Sequence, residues 1–234
     1  MSGNRSARVA SAMTARMILE AGAVKYGAER PYFLASGWAS PVYIDCQRLI
    51  SFPRIRGALM DLASEIVLSE AGFEQFDTVA GVESSGIAYA AWIAERLSLP
   101  LQYVRARPRG FGREAQIEGT LRAGARVLLV DDIASDGRTT IELCRALRAM
   151  QARVDHVLVM FFYDVFSEAR GLFEEAGIKL HYLATWRDVL ACARERGYLE
   201  ADAIAQAERF LAEPARWSLE HGGIGAYPRG GEMR

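Results

Sequence analysis

Apolar positions along the chain recur with two periods, and the places where the period changes outline the fold. From Pro53 to Glu70, residues Ile55, Leu59, Leu62 and Ile66 form one helical stripe, with the proline in the first turn, where a missing amide costs nothing. Thr78-Val-Ala-Gly-Val82 reads as a short strand ending in the turn Glu83-Ser84-Ser85-Gly86, and an alanine-rich helix follows to about Leu97. Leu101 to Val104 is a second short strand. The apolar run from Arg126 to Asp131 predicts a central strand, and the helix after it, from near Thr139, carries Leu143, Leu147 and Met150 on one face. Val157 to Tyr163 and Lys179 to Ala184 are further apolar runs, and helices from about Trp186 and Glu200 close the chain. At the N-terminus a helix to about Gly22 precedes a hairpin near Phe33 to Ile44. Strands separated by helical patterns imply βαβ units, hence an α/β class with a mostly parallel twisted sheet flanked by helices. One domain over residues 1–234 is the simplest partition, with 1–50 an added hood-like subregion and the glycine-rich stretch 221–234 a flexible tail.

The central strand carries the most chemistry. It delivers Asp131 and Asp132 to its carboxyl end, and Ile133-Ala134-Ser135-Asp136-Gly137-Arg138-Thr139 leads into the next helix. Carboxyl ends of strands are where open α/β sheets bind ligands, and a helix N-terminus with free amides receives anions. The stretch therefore offers acceptors for sugar hydroxyls beside a cradle for a phosphate, as a ribose 5-phosphate requires. The glycine-rich patterns of P-loops and dinucleotide folds are absent. As a bare pair, Asp131 and Asp132 could equally cap a helix or face water; their place between an apolar run and a Ser-Asp-Gly turn favours the ligand.

Two other segments stand out. The turn Glu83-Ser84-Ser85-Gly86 presents small residues and backbone amides at a helix start, which is also how an ordinary N-cap looks. Between Tyr103 and Gly119, Arg105, Arg107, Arg109 and Arg113 alternate with Pro108, Gly110 and Gly112. A solvated connection explains such a loop, but a hinged basic flap closing over an anion uses the same residues, because guanidinium forks suit phosphate oxygens.

The stretch around Asp131 resembles the phosphoribosyl diphosphate (PRPP) motif of type I phosphoribosyltransferases. Two more features narrow the resemblance to the orotate branch: Phe33-x-x-Ser36-Gly37-x-x-Ser40-Pro41-x-Tyr43, and an arginine loop ending Gln116-Ile117-Glu118-Gly119. The resemblance runs from about Arg30 to Ala193 and implies the single-domain type I phosphoribosyltransferase fold, with phosphoribosyl transfer from PRPP to orotate. It assigns the ribose hydroxyls to Asp131 and Asp132, and the 5′-phosphate to the loop from Ile133 and Ala134 through Ser135, Asp136, Gly137, Arg138 and Thr139. The pyrophosphate falls to Glu83, Ser84, Ser85 and Gly86 with Arg105, Arg107 and Arg109, and the base to Ser36, Gly37, Tyr43 and Ser135. Arg105, Arg109, Asp131 and Asp132 are the implied catalytic set. Mg²⁺ is the implied cofactor, reached by Asp132 through water, and a homodimer is implied because the flap closes on a neighbouring subunit's site. The chain departs from the family pattern at Ala35 and Ala106, where lysines are usual, and at Phe111 near the flap tip. An arginine commonly used on orotate has no counterpart in Phe161-Phe162-Tyr163-Asp164. Those departures keep two alternatives in view: a PRPP-sensing regulator without catalysis, and a phosphoribosyltransferase for another base.

Composition limits partners more than chemistry. The 234 residues are 51% hydrophobic and 24% charged, with formal net charge −1. That balance gives no electrostatic case for nucleic-acid binding. No stretch approaches the ~20 apolar residues of a membrane span, so the cytoplasm is the expected location and no membrane partner is expected. Cys46, Cys144 and Cys192 are scattered and odd in number, implying neither a disulfide framework nor zinc; Cys144 and Cys192 read as small core residues. His156 and His181 flank apolar runs and read as structural.

Overall fold

The computed structural model describes residues 2–27, 30–34, 36–105 and 116–226. Its elements are α1 (Ser2–Glu20), β1 (Val24–Tyr26), β2 (Tyr32–Phe33), β3 (Ala39–Ser40), β4 (Val42–Ile44), α2 (Cys46–Leu49), α3 (Pro53–Ala71), β5 (Thr78–Val82), α4 (Ser85–Leu97), β6 (Leu101–Val104), β7 (Ile117–Glu118), β8 (Arg126–Ala134), α5 (Arg138–Ala149), β9 (Arg153–Phe162), α6 (Ser167–Glu175), β10 (Lys179–Thr185), α7 (Trp186–Arg196), α8 (Ala201–Ala212) and α9 (Pro214–Glu220).

Six strands form the main sheet in the order β10-β9-β8-β5-β6-β7, parallel except for the antiparallel edge pair β6 and β7. Chain order reverses between β5 and β8: from β5 the chain steps through α4 to β6, and from β8 it steps the other way through α5 to β9. Right-handed crossovers running in opposite directions put α4 and α5 on opposite faces. In the packing, α3 and α4 share one face and α5 and α6 the other. The crevice at the carboxyl ends of β5 and β8 is the topological switch point, where open α/β sheets hold ligands.

β8 outruns its expected end at Asp131. Asp131 pairs with Val159, Ile133 with Phe161 and Ala134 with Phe162, because the long neighbour β9 continues the ladder past the carboxylates. The N-terminal hairpin also differs. β2 pairs with β3, while β4 turns away to pair with β1, giving two small antiparallel ribbons outside the main sheet. The tail has an anchored beginning: Gly223 N donates to Ser218 O at 2.8 Å and Ile224 N to Gly37 O at 3.1 Å. Residues 227–234 lie outside the described set.

The close seating of α4 on β8 depends on Gly86. A Cβ there would stand 2.6 Å from Val130 O and 3.0 Å from the Asp131 Cα, both backbone atoms that cannot turn aside. At the opposite end of the sheet, His181 is buried and its Nδ1 lies 2.9 Å from Glu70 Oε2, while His156 Nδ1 lies 2.9 Å from His181 Nε2. In the neutral tautomer His181 donates to Glu70 and accepts from His156. Burial pushes the His181 pKa down to about 4, against the opposing pull of Glu70.

Two expectations follow. Gly86→Ala forces α4 off β8 and destabilises by roughly 1–3 kcal/mol, the usual cost of an added methylene in a tight site; an unchanged melting temperature would refute the contact. His181 binds its proton more readily unfolded, near the ordinary 6.5, than folded, near 4. Its contribution is therefore complete above 6.5 and lost as pH falls toward 4. His181→Gln flattens that part of the stability–pH curve, read by denaturant melts at several pH values.

Candidate active site

Both sides of the switch point carry a strand-to-helix turn. On the β5 side, Glu83 and Ser84 are joined by a cis peptide and Ser84 is exposed. Ser85 and Gly86 open α4, and Gly86 lies against Asp131. On the β8 side, Ser135, Asp136 and Gly137 lead into α5. Gly137 is the N-cap at φ 80° and brings no capping side chain. A helix leaves its first four amides without intrahelical partners. Asp136 Oδ1 accepts one of them, from Arg138 N at 3.1 Å. Phe173 of α6 backs the turn: a Cβ on Gly137 would meet its ring at 2.6 Å. Thr139 is exposed in the first turn of α5, Arg138 and Ser135 are half-buried, and Ile133 is half-buried beside buried Ala134.

Asp131 and Asp132 lie between these turns, both buried. Asp131 Oδ1 accepts from the Asp132 amide at 2.8 Å. Among the described residues no lysine, arginine or histidine forms an ion pair with either carboxylate. Burial, and then the neighbouring Asp132 charge, hold the Asp131 carboxyl well above the ordinary carboxylate range; burial raises Asp132 too. The Ser85 hydroxyl lies near enough to favour the charged form of both. Among the described residues, the arrangement is a carboxylate pair with no cation paired to it, next to a helix start. Such a pair can accept hydroxyl hydrogen bonds or meet a cation carried in with a ligand.

Arg105 is engaged by protein side chains. It is buried, with Nη1 2.7 Å from Glu83 Oε1, Nη2 2.7 Å from Glu118 Oε1 and Nη2 3.2 Å from Tyr103 Oη. A buried guanidinium beside two carboxylates pairs with them, so Arg105 fastens the β5 turn to the end of β7. Arg107 and Arg109, with Ala106, Phe111 and Arg113, lie outside the described residues.

The base-side candidates come from the hood. Ser36 and Gly37 occupy the β2–β3 turn, and the next residue, Trp38, packs on Phe166 at 4.8 Å, just past the carboxyl end of β9. Tyr43 is exposed on β4 and stands near enough to Asp132 for that charge to raise its pKa, after the larger effect of burial. Tyr43 thus approaches the aspartates from the hood side, while Ala35 lies outside the described residues. Sequence reasoning missed three supports: Phe173 behind Gly137, Ser218 behind Ala39, and Tyr89, whose hydroxyl donates to Cys46 O at 2.6 Å and ties the hood to α4. None carries a local motif. An arginine does occur past the end of β9. Arg170 holds Asp164 with two bonds of 2.7 and 2.8 Å and lies over the Phe162 and Tyr182 rings.

The Phosphoribosyl transferase domain family matches residues 49–165. An orotate phosphoribosyltransferase of Sinorhizobium medicae is 50% identical over 218 residues, covering 93% of this chain and 94% of that one. The crystal structure of an orotate phosphoribosyltransferase from Aeropyrum pernix superposes with TM-score 0.65 at 30% identity, over 79% of this chain and 99% of its own. A UMP synthase of Leishmania donovani reaches TM-score 0.74 at 27% identity, over 86% of this chain and 42% of its own. Identity at half the positions along nearly the full length of such a relative, on a sheet with both turns at its switch point, shows that this chain belongs to the orotate phosphoribosyltransferase family.

Proposed function

We propose that the chain transfers the phosphoribosyl group of PRPP to orotate, giving orotidine 5′-monophosphate and pyrophosphate, a step of pyrimidine biosynthesis. The observation that carries the reading is the buried pair Asp131 and Asp132 set between two strand-to-helix turns, with no cation paired to it among the described residues. Positive charge builds on the ribose ring as pyrophosphate leaves the anomeric carbon. Catalysis is then a matter of holding two anions in line and stabilising the separating charges, without a covalent nucleophile. Asp131 and Asp132 hold the ribose hydroxyls. The first-turn amides of α5 with Ser135 and Thr139 hold the 5′-phosphate, and the turn Glu83 to Gly86 with Arg107 and Arg109 receives the pyrophosphate. Arg105 contributes indirectly, by fixing Glu83. Ser36, Gly37 and Tyr43 face the base.

Mg²⁺ fits this donor set. Two adjacent carboxylates lacking a protein cation suit a divalent ion, with Asp132 reaching it through water. Among the described residues no three His, Cys, Asp or Glu side chains converge as a closed cage; magnesium ordinarily binds through one or two carboxylates plus substrate oxygens and water. When bound, the ion neutralises charge on the diphosphate. We extend the reading to a cytoplasmic homodimer on family likeness; among the described residues no helix is long and apolar enough to cross a membrane.

Loss of orotate absorbance with PRPP and Mg²⁺, run beside adenine, hypoxanthine and uracil, tests the reaction. Turnover is expected with orotate alone; PRPP binding without turnover of any base would instead mark a sensor. Asp131→Asn and Asp132→Asn should each weaken PRPP binding roughly 10- to 100-fold, from ~1.5–3 kcal/mol per charge-assisted hydrogen bond. The double alanine variant should abolish binding with the fold intact, and unchanged affinity in calorimetry refutes the assignment.

A second expectation concerns protons. Asp131 retains its proton well above the ordinary 3.8. A cation entering with PRPP favours the ionised form, so binding releases protons and tightens as pH rises. Calorimetry in buffers of different ionisation enthalpy reads the release; a buffer-independent enthalpy would exclude it.

A further inference from the structure

We propose that the C-terminal segment Ser218–Ile224 positions the base-facing turn Ser36–Gly37–Trp38, so that orotate binding depends on it and PRPP binding does not. The inference rests on the reading that this turn meets the base.

The turn belongs to a ribbon of two residues per strand. Among the described residues, Gly37 N donates to Leu34 O and Leu34 N to Trp38 O, both 2.8 Å, closing the loop on itself. Two-stranded ribbons are marginal even when longer, so the position of this one is set by what it rests on. Behind it stands the end of the chain. Ala39 N donates to the buried hydroxyl of Ser218 at 2.9 Å, and Ile224 N donates to Gly37 O at 3.1 Å. The Ile224 side chain lies across Gly37, where a Cβ would sit 3.5 Å from it. Gly223 passes so close to Ala39 and Ser218 that no side chain fits there.

This support is itself held by a row of rings. Trp38 meets Phe166 at 4.8 Å, Phe166 meets Phe210 at 6.5 Å, Phe210 meets Trp217 at 5.7 Å, and Trp217 stacks on His221 at 3.7 Å. His221 Nδ1 donates to Trp217 O at 2.7 Å. Helices α8 and α9 thus present Ser218 and Ile224 to the turn on a stiff base. Both partners, residues 36–39 and 218–224, lie outside the matched domain at 49–165. The PRPP elements, the turn at 83–86 and the stretch 131–139, lie inside it. The contact therefore bears on the base side of the site.

Ser218→Ala and Ile224→Ala in the full chain separate positioning from general stability. Ile224 is only half-buried, so its variant keeps the test alive should Ser218→Ala fail to fold. Each is expected to raise the orotate KM about 5- to 20-fold, Ser218→Ala through its lost hydrogen bond and Ile224→Ala through the lost apolar contact across Gly37. PRPP affinity, by calorimetry without orotate, should stay within about twofold. Ser36→Asp, which sets a carboxylate against an anionic base, is run alongside. An orotate KM raised by Ser36→Asp and unmoved by the other two variants overturns the brace and leaves the base site standing. An orotate KM unmoved by all three overturns both. Parallel loss of orotate and PRPP affinity also overturns the brace, because it marks a structural role alone.

Discussion

Two adjacent carboxylates removed from water, with no cation near them, are unfavourable in any isolated protein. Burial of such groups is tolerated when they are protonated, hydrogen-bonded, or met by a partner that comes and goes. Asp131 and Asp132 meet the first two conditions in part, through the Asp132 amide, the Ser85 hydroxyl and raised pKa values. On the proposed reading, the third is met by a ligand rich in hydroxyls and accompanied by a cation. Much of the surrounding structure follows from keeping that site small and rigid. β9 extends the ladder beyond the carboxylates, Gly86 lets α4 approach the strand backbone, and Phe173 fills the space behind Gly137.

Charge around the crevice is distributed unevenly, and this bears on how a polyanion enters. The one arginine of the basic loop within the described residues, Arg105, is spent on Glu83 and Glu118. It joins the strand before the loop to the strand after it, because β6 and β7 are neighbours at the sheet edge. The pairing fixes the ends of the two strands that flank the basic stretch.

The base side is built by a different strategy. The PRPP side rests on a six-stranded sheet, whereas the hood ribbons have two or three residues per strand and no ladder to the main sheet. Their order comes from outside: Tyr89 from α4, Phe166 past β9, Ser218 and Ile224 from the chain's end. On the proposed reading, the base side is held by contacts between distant parts of the chain and the sugar-phosphate side by local turns.

That difference explains how much could be read before the structure. Periodicity and the short turn sequences determined the strand–helix alternation, the parallel sheet and the aspartate–loop unit, because each is encoded within a dozen contiguous residues. The Asp131 to Thr139 stretch carries its own strand, carboxylates and helix start. Hydrophobic pattern alone ended β8 too early, since carboxylates do not look like strand residues, and only the ladder with β9 kept them in the sheet. It merged two ribbons into one hairpin, since pairing between Val24 and Ile44 has no local signal. That Arg105 meets Glu83 and Glu118 had no signal in the sequence, because those carboxylates come beside it only in space. The tail read as loose because nothing near Gly223 in sequence reveals that Ala39 lies against it. Local backbone preference and apolar period determined the elements and the sugar-phosphate cradle. Long-range packing, which alone brings distant charges and backbones within bonding distance, decided which side chains remain free to act.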